Sequence, residues 1–316
     1  MKKYVILLAT ACLLLTTSCS SDSAISFPIE KPDPKPNPDP KPDPDPKPDP
    51  DPKPDGNYVL PADQKEYYKT IDFKKSGMEL KAQLITLLKT THNRTLKYSP
   101  EVWEAIKATD YVPVASGNPT EVYLIYGHRS QGNSSSEKAY TRAISKQNAG
   151  GSATDTWNRE HVYTQNAGGF DTQPGTGTDV HNLRSSDVSW NGKRGSLKFA
   201  TGTGDSGPVS GGWYPGDEWK GDVARMMMYM YLRYETQCLP SKNAIGSTVN
   251  TPDGMLDTLL QWNVDDPVSD IEIRRNNYHG NSKNQFAQGN RNPFIDNPEL
   301  ATKIWGGKAA ENRWKK

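Results

Sequence analysis

From residue 58 onward the apolar positions recur in runs that suit helices, interrupted by polar and glycine-rich stretches. Residues 61–72 and 78–88 carry apolar side chains at helical spacing, so each predicts a helix with one buried face, and Gly77 separates them. Ser99 followed by Pro100 reads as an N-cap with proline in the first helical position, opening a helix that would bury Trp103 and Ile106. The run E-V-Y-L-I-Y-G at 121–127 is β-branched and aromatic, which predicts a buried strand. Residues 129–155 are polar and glycine-rich and predict loop, as does the glycine-rich stretch 201–217. Helices are predicted at 217–237, 253–263, 268–277 and 298–305. Met226, Met227, Met228 and Met230 predict core, because adaptable thioether side chains fill irregular gaps. No internal repeat of solenoid length is present. The pattern is that of an α+β fold, predominantly helical, with a few short strands.

The N-terminal residues follow a different logic. Met1, Lys2 and Lys3 form a positive start, and residues 5–15 form an apolar stretch too short for a comfortable membrane span. The segment L-T-T-S-C at 15–19 resembles a bacterial lipobox, so residues 1–19 are expected to be a lipoprotein-type signal peptide, with Cys19 lipidated as the mature N-terminus. The alternative is an ordinary secretory signal with an incidental cysteine. Either version implies a cell-envelope or secreted protein without a transmembrane helix. Residues 20–57 are expected to be a disordered tether. Within them, 31–55 place proline at nearly every second position, which excludes helix and sheet and favours extended polyproline II. At roughly 3.1 Å per residue this tract could span ~75 Å. Residues 58–316 are then one domain, since no second low-complexity linker interrupts them.

Composition narrows the chemistry only slightly. The formal net charge of +1 argues neither for nor against an anionic partner, although Lys193 with Arg194, and Arg274 with Arg275, form local basic pairs. The three cysteines are Cys12, Cys19 and Cys238, too few in the mature domain for a cysteine-ligated zinc site.

The candidate chemistry lies in N-R-E-H-V at 158–162 and D-V-H-N-L-R-S-S-D-V-S-W-N-G-K-R-G at 179–195. They offer an imidazole (His161), a carboxylate (Glu160) and an amide (Asn191), with Arg159, Arg184 and Arg194 close in sequence. Phosphodiester hydrolysis needs a base for water, hard oxygen ligands for a divalent cation and donors for phosphate oxygens. All three kinds of group are present. Taken singly, His161 reads equally as a hydrogen-bonded structural histidine, and Asn191 before Gly192 as a turn.

These segments, with K-G-D-V-A-R at 220–225 and Q-G-N-R-N-P-F-I-D at 288–296, resemble the bacterial endonuclease I family, secreted nucleases of the His-Me finger (ββα-metal) group. The resemblance implies a catalytic core of strand, loop, strand and helix. It makes His161 the general base, and Glu160 and Asn191 the ligands of one Mg²⁺ or a similar ion such as Mn²⁺ or Ca²⁺. Arg184 and Arg194 become alternative phosphate-binding arginines, and Asp179, His181 and Asn182 supports. Arg291 is a further candidate for phosphate contact. The implied activity is sequence-nonspecific cleavage of DNA, RNA or both, leaving 5′-phosphate and 3′-hydroxyl ends. The expected partners are nucleic acid and, through the lipid, a membrane; no protein partner is expected, and the chain is read as a monomer. Because adjacent strand residues point to opposite faces, Glu160 and His161 require a bulge or bend to address one phosphate.

Two rival readings remain. A zinc hydrolase would use His161, His181 and Asp179, though no H-E-x-x-H pair exists. A surface glycan-binding lipoprotein would use Trp213, Tyr214 and Trp219 as stacking platforms.

Overall fold

The computed structural model describes residues 58–148 and 154–315; the expected signal peptide, Cys19 and nearly all of the tether lie outside the described residues. The helix Lys220–Tyr234 sits at the centre, every residue from Gly221 to Leu232 being buried. Its methionine, leucine and alanine side chains suit a helix, and its long central apolar run is covered on every side as a core helix requires. Met226, Met227, Met228 and Met230 are all at most 5% exposed, as expected for gap-filling core residues. The helices Asp257–Asp265, Gly77–Thr91 and Pro293–Asp296 pack around it. Its two buried charges are answered: Arg225 forks onto Glu272 at 2.6 and 2.8 Å, and Asp222 accepts from Arg184 at 2.8 Å.

Three two-stranded antiparallel sheets complete the architecture: β1 (Glu121–Tyr123) with β2 (Thr141–Ala143), β3 (Trp157–His161) with β4 (Leu183–Asp187), and β5 (Gly207–Val209) with β6 (Gly212–Tyr214). Trp103 packs edge-on against Trp157 in a second core cluster beneath β3, with Val122 and Leu183. The result is mixed helix and small sheet, an α+β fold. Among the described residues no helix is long and apolar enough to cross a membrane.

Local departures from the hydrophobic pattern have physical causes. The helix expected over 61–72 is a single turn, Ala62–Lys65; the aromatics on either side of it, Tyr58, Tyr68 and Phe73, instead cluster around Trp314, with Tyr68 donating to Asp296. The strand expected through 127 stops at Tyr123, because Tyr126 adopts a left-handed φ of 68°. Strand β2, inside the expected loop, is polar because its members are satisfied rather than apolar: Thr141 donates to Glu121 at 2.6 Å and buried Arg142 pairs with Asp187 at 2.8 Å. The β5–β6 hairpin lies in the other expected loop, closed by a two-residue turn whose Gly211 has φ 81°. Pro100 rather than Ser99 occupies the N-cap position before Glu101–Thr109.

Candidate active site

Strands β3 and β4 pair in unbroken register from Trp157 opposite Asp187 to His161 opposite Leu183. Asp187 ends β4 and starts the next helix, Val188–Arg194, by accepting the Trp190 backbone N–H at 2.9 Å. A strand, an excursion, a strand and a helix therefore follow one another over residues 157–194. The excursion is pinned at its base: the Asn182 amide accepts from the Tyr163 N–H at 2.6 Å and donates to the Tyr163 carbonyl at 3.0 Å. Asp179, buried, accepts from the hydroxyls of Tyr229 and Tyr234, from the Gln288 amide and from the His181 N–H. Burial pushes its carboxyl up, yet His92, His181 and these donors outweigh that and hold it below its ordinary value. His181 meets the Asn290 carbonyl at 3.0 Å. Asp179, His181 and Asn182 thus occupy a buried hydrogen-bond network behind the site.

Glu160, His161 and Asn191 line one polar cavity of about 350 Å³, with Arg159, Arg194, Tyr98, Thr164, Gln165, Asn166, Gly195 and Ser196. Of the bulge or bend that the sequence required, the structure has the bend: the register of β3 with β4 is unbroken, and the chain turns just after His161. His161 is the last residue of β3, bends follow at Val162 and Tyr163, and β3 is an edge of a two-stranded sheet, so side chains from both faces reach the same space.

Each group is fixed by a neighbour. His161 Nε2 lies 2.8 Å from the Gly177 carbonyl, which can only accept, so Nε2 carries the proton and Nδ1 keeps its lone pair. The chain at Gly177 runs so close to Asp171 that a Cβ would fall 1.6 Å from the Asp171 carbonyl oxygen. Burial, helped by Arg159 and Arg194, lowers the imidazole to about 4 despite the Gly177 bond, so it is neutral at neutral pH. Glu160 accepts from the Tyr126 hydroxyl at 3.0 Å and lies 3.5 Å from Arg194; burial raises it to about 7 against their opposing pull. Asn191 Nδ2 donates to Asn158 Oδ1 at 2.8 Å, which leaves Asn191 Oδ1 as its free end. Glu160 Oε2 likewise has no hydrogen-bond partner among the described residues. One carboxylate oxygen and one amide oxygen fit a hard divalent ion that keeps several waters.

The arginines are distributed differently from expectation. Arg184 does not line the cavity: it is buried between Asp110 and Asp222, at 3.3 and 2.8 Å, and both carboxylates lie far from it in sequence. Arg194 lines the cavity, but its terminal nitrogens serve the carbonyls of His161, Val162 and Gly195. Arg291 is buried on Asp296 at 2.6 and 2.7 Å. Arg159, noted in the sequence only as one of three nearby arginines, lines the cavity, and Asn158, to which the sequence had given no role, holds the Asn191 amide.

Neither rival reading finds its site. Among the described residues no group of three or more His, Cys, Asp and Glu is placed to hold a metal ion, and the ring nitrogens of His161 and His181 point to separate carbonyls. Trp213, Tyr214 and Trp219 are at most 2% exposed and cannot serve as open stacking platforms.

The Endonuclease I family model matches residues 76–299. An extracellular ribonuclease of Bacillus amyloliquefaciens is 41% identical over 256 residues, covering 77% of this chain and 79% of that protein. An extracellular ribonuclease of Bacillus subtilis (strain 168) is 39% identical over 254 residues, covering 77% and 80%.

Proposed function

The chain belongs to the endonuclease I family, and from that premise we propose that it is a secreted, sequence-nonspecific nuclease that hydrolyses phosphodiester bonds in RNA and DNA. The observation that carries this reading is the convergence of Glu160, His161 and Asn191 on one polar cavity. The β3–β4 pair and the helix Val188–Arg194 fit a His-Me finger core.

In this reading His161 Nδ1 removes a proton from the attacking water, while the Gly177 carbonyl holds the ring in the one tautomer able to do so. Glu160 and Asn191 would hold one Mg²⁺ or similar ion, which when bound neutralises the phosphate and favours departure of the 3′-oxygen. Tyr126 steadies the Glu160 carboxylate, and Asn158, by holding the Asn191 NH₂, leaves the amide oxygen free to take such an ion. Water attacks phosphorus directly and no 2′-hydroxyl takes part, so ribose and deoxyribose strands are both substrates. The products carry 5′-phosphate and 3′-hydroxyl ends. The N-terminal sequence supports export, lipid attachment at Cys19 and a proline-rich spacer before a monomeric catalytic domain.

The test is incubation with plasmid DNA and with RNA, with Mg²⁺ or with EDTA, beside the His161→Ala variant. Cutting that EDTA and His161→Ala both abolish supports the reading; full activity in that variant removes His161 as base.

A further inference from the structure

We infer that Arg159 is the cation that grips a phosphate of the strand being cut, a role that rests on the nuclease reading. The inference begins with an imbalance. A buried charge in a folded protein is normally paired, because removing it from water without a counter-charge is costly. Arg184, Arg194, Arg225, Arg275 and Arg291 are all buried, and each lies within 3.5 Å of a carboxylate oxygen. Arg159 is only 8% exposed, yet no carboxylate pairs with it among the described residues. Its guanidinium lies instead between two rings, 3.4 Å from the Tyr98 centroid and 4.0 Å from that of Trp103. Nη1 donates to the Tyr98 carbonyl and, at 3.1 Å, to Ser99 Oγ. Nη2 has no partner among the described residues, and the side chain lines the cavity that holds Glu160, His161 and Asn191.

This is a rigid, preorganised donor missing its anion. Stacking on two rings and one anchored nitrogen remove most of the side chain's freedom before any ligand arrives, so little entropy remains to be lost on binding. Arg159 and His161 share one face of β3, two residues and about 6.6 Å apart along the backbone. That reach puts a phosphate at Arg159 on the same strand segment as the one His161 addresses. Arg184 does not reach the cavity, and both terminal nitrogens of Arg194 are already turned to the backbone carbonyls of His161, Val162 and Gly195.

The experiment measures binding of a short labelled single-stranded oligonucleotide, in Ca²⁺, to the His161→Ala chain with and without Arg159→Gln or Arg159→Lys, over a series of KCl concentrations. Losing one phosphate contact should reduce the slope of log Kd against log salt by about 0.7 in Arg159→Gln. Its Kd should rise about 10-fold. Arg159→Lys keeps the charge, so its slope should hold while its Kd rises through loss of the fork. Melting temperature and Ca²⁺ binding report that each variant is folded with its ion site intact. An unchanged slope and Kd in both variants overturns the role of Arg159 alone. A parent that binds no nucleic acid at all overturns the nuclease reading, and this inference with it.

Discussion

Asn158→Ala isolates one hydrogen bond that the account treats as decisive for ion binding. Asn158 Oδ1 accepts from Asn191 Nδ2 at 2.8 Å, and without it the Asn191 amide can turn its NH₂ toward the ion. A neutral hydrogen bond is worth about 1 kcal/mol, which corresponds to roughly 5-fold in affinity. Groups that orient a metal ligand typically carry about 10–100-fold, so the expected rise in the half-saturating Mg²⁺ concentration lies between about 5- and 100-fold. Activity at saturating Mg²⁺ should change little, because Glu160 and His161 are untouched. Asn158→Asp presents another acceptor to the same NH₂ and should retain tight binding. The assay is cleavage of a labelled oligonucleotide over a Mg²⁺ titration, with Mn²⁺ affinity from calorimetry as an independent readout. An Asn158→Ala variant with the Mg²⁺ dependence of the parent refutes the reasoning.

Further expectations concern the frame around the site. Asp110 accepts from Arg184, from the Ser185 N–H and hydroxyl, and from Arg275, so Asp110→Ala should cost about 3–5 kcal/mol in urea unfolding by leaving buried cations unpaired. Gly177→Ala should lower kcat about 100-fold by displacing the carbonyl that fixes His161, with single-turnover cleavage as the check. Burial lowers His181 from 6.5 to about 4, outweighing the opposite pull of Asp179, and pushes His279 well below its ordinary value. Protons therefore bind the unfolded chain more readily than the folded one, and stability falls as pH drops through 6.5 toward 4. His181 alone should contribute a loss of about 2 kcal/mol between pH 7 and pH 5, measurable by urea unfolding and reduced in His181→Gln.

Much of the arrangement was legible in the sequence because it is local. Glu160 and His161 are adjacent, and the second segment holds the end of one strand, its capping Asp187 and the start of a helix within a few residues. The methionine-rich helix announced its burial by composition alone. What stayed hidden depended on distant partners. Arg184 looked like a phosphate donor until folding placed Asp110 and Asp222 beside it, 74 and 38 residues away in sequence. Arg159 was visible only as one of three nearby arginines, because the two rings that hold it, Tyr98 and Trp103, come from an earlier segment. Strand β2 escaped notice because its buried positions are polar and satisfied by Glu121 and Asp187, so no apolar alternation marks it.

The central claim is that Glu160 and Asn191 hold one ion in the cavity they share with His161. Crystals soaked in Mn²⁺ and examined by anomalous scattering test it most directly. The expected result is a single peak about 2.1 Å from a Glu160 carboxylate oxygen and from Asn191 Oδ1, with water completing its coordination. An active, Mn²⁺-dependent enzyme whose anomalous peak lies away from both residues contradicts the account.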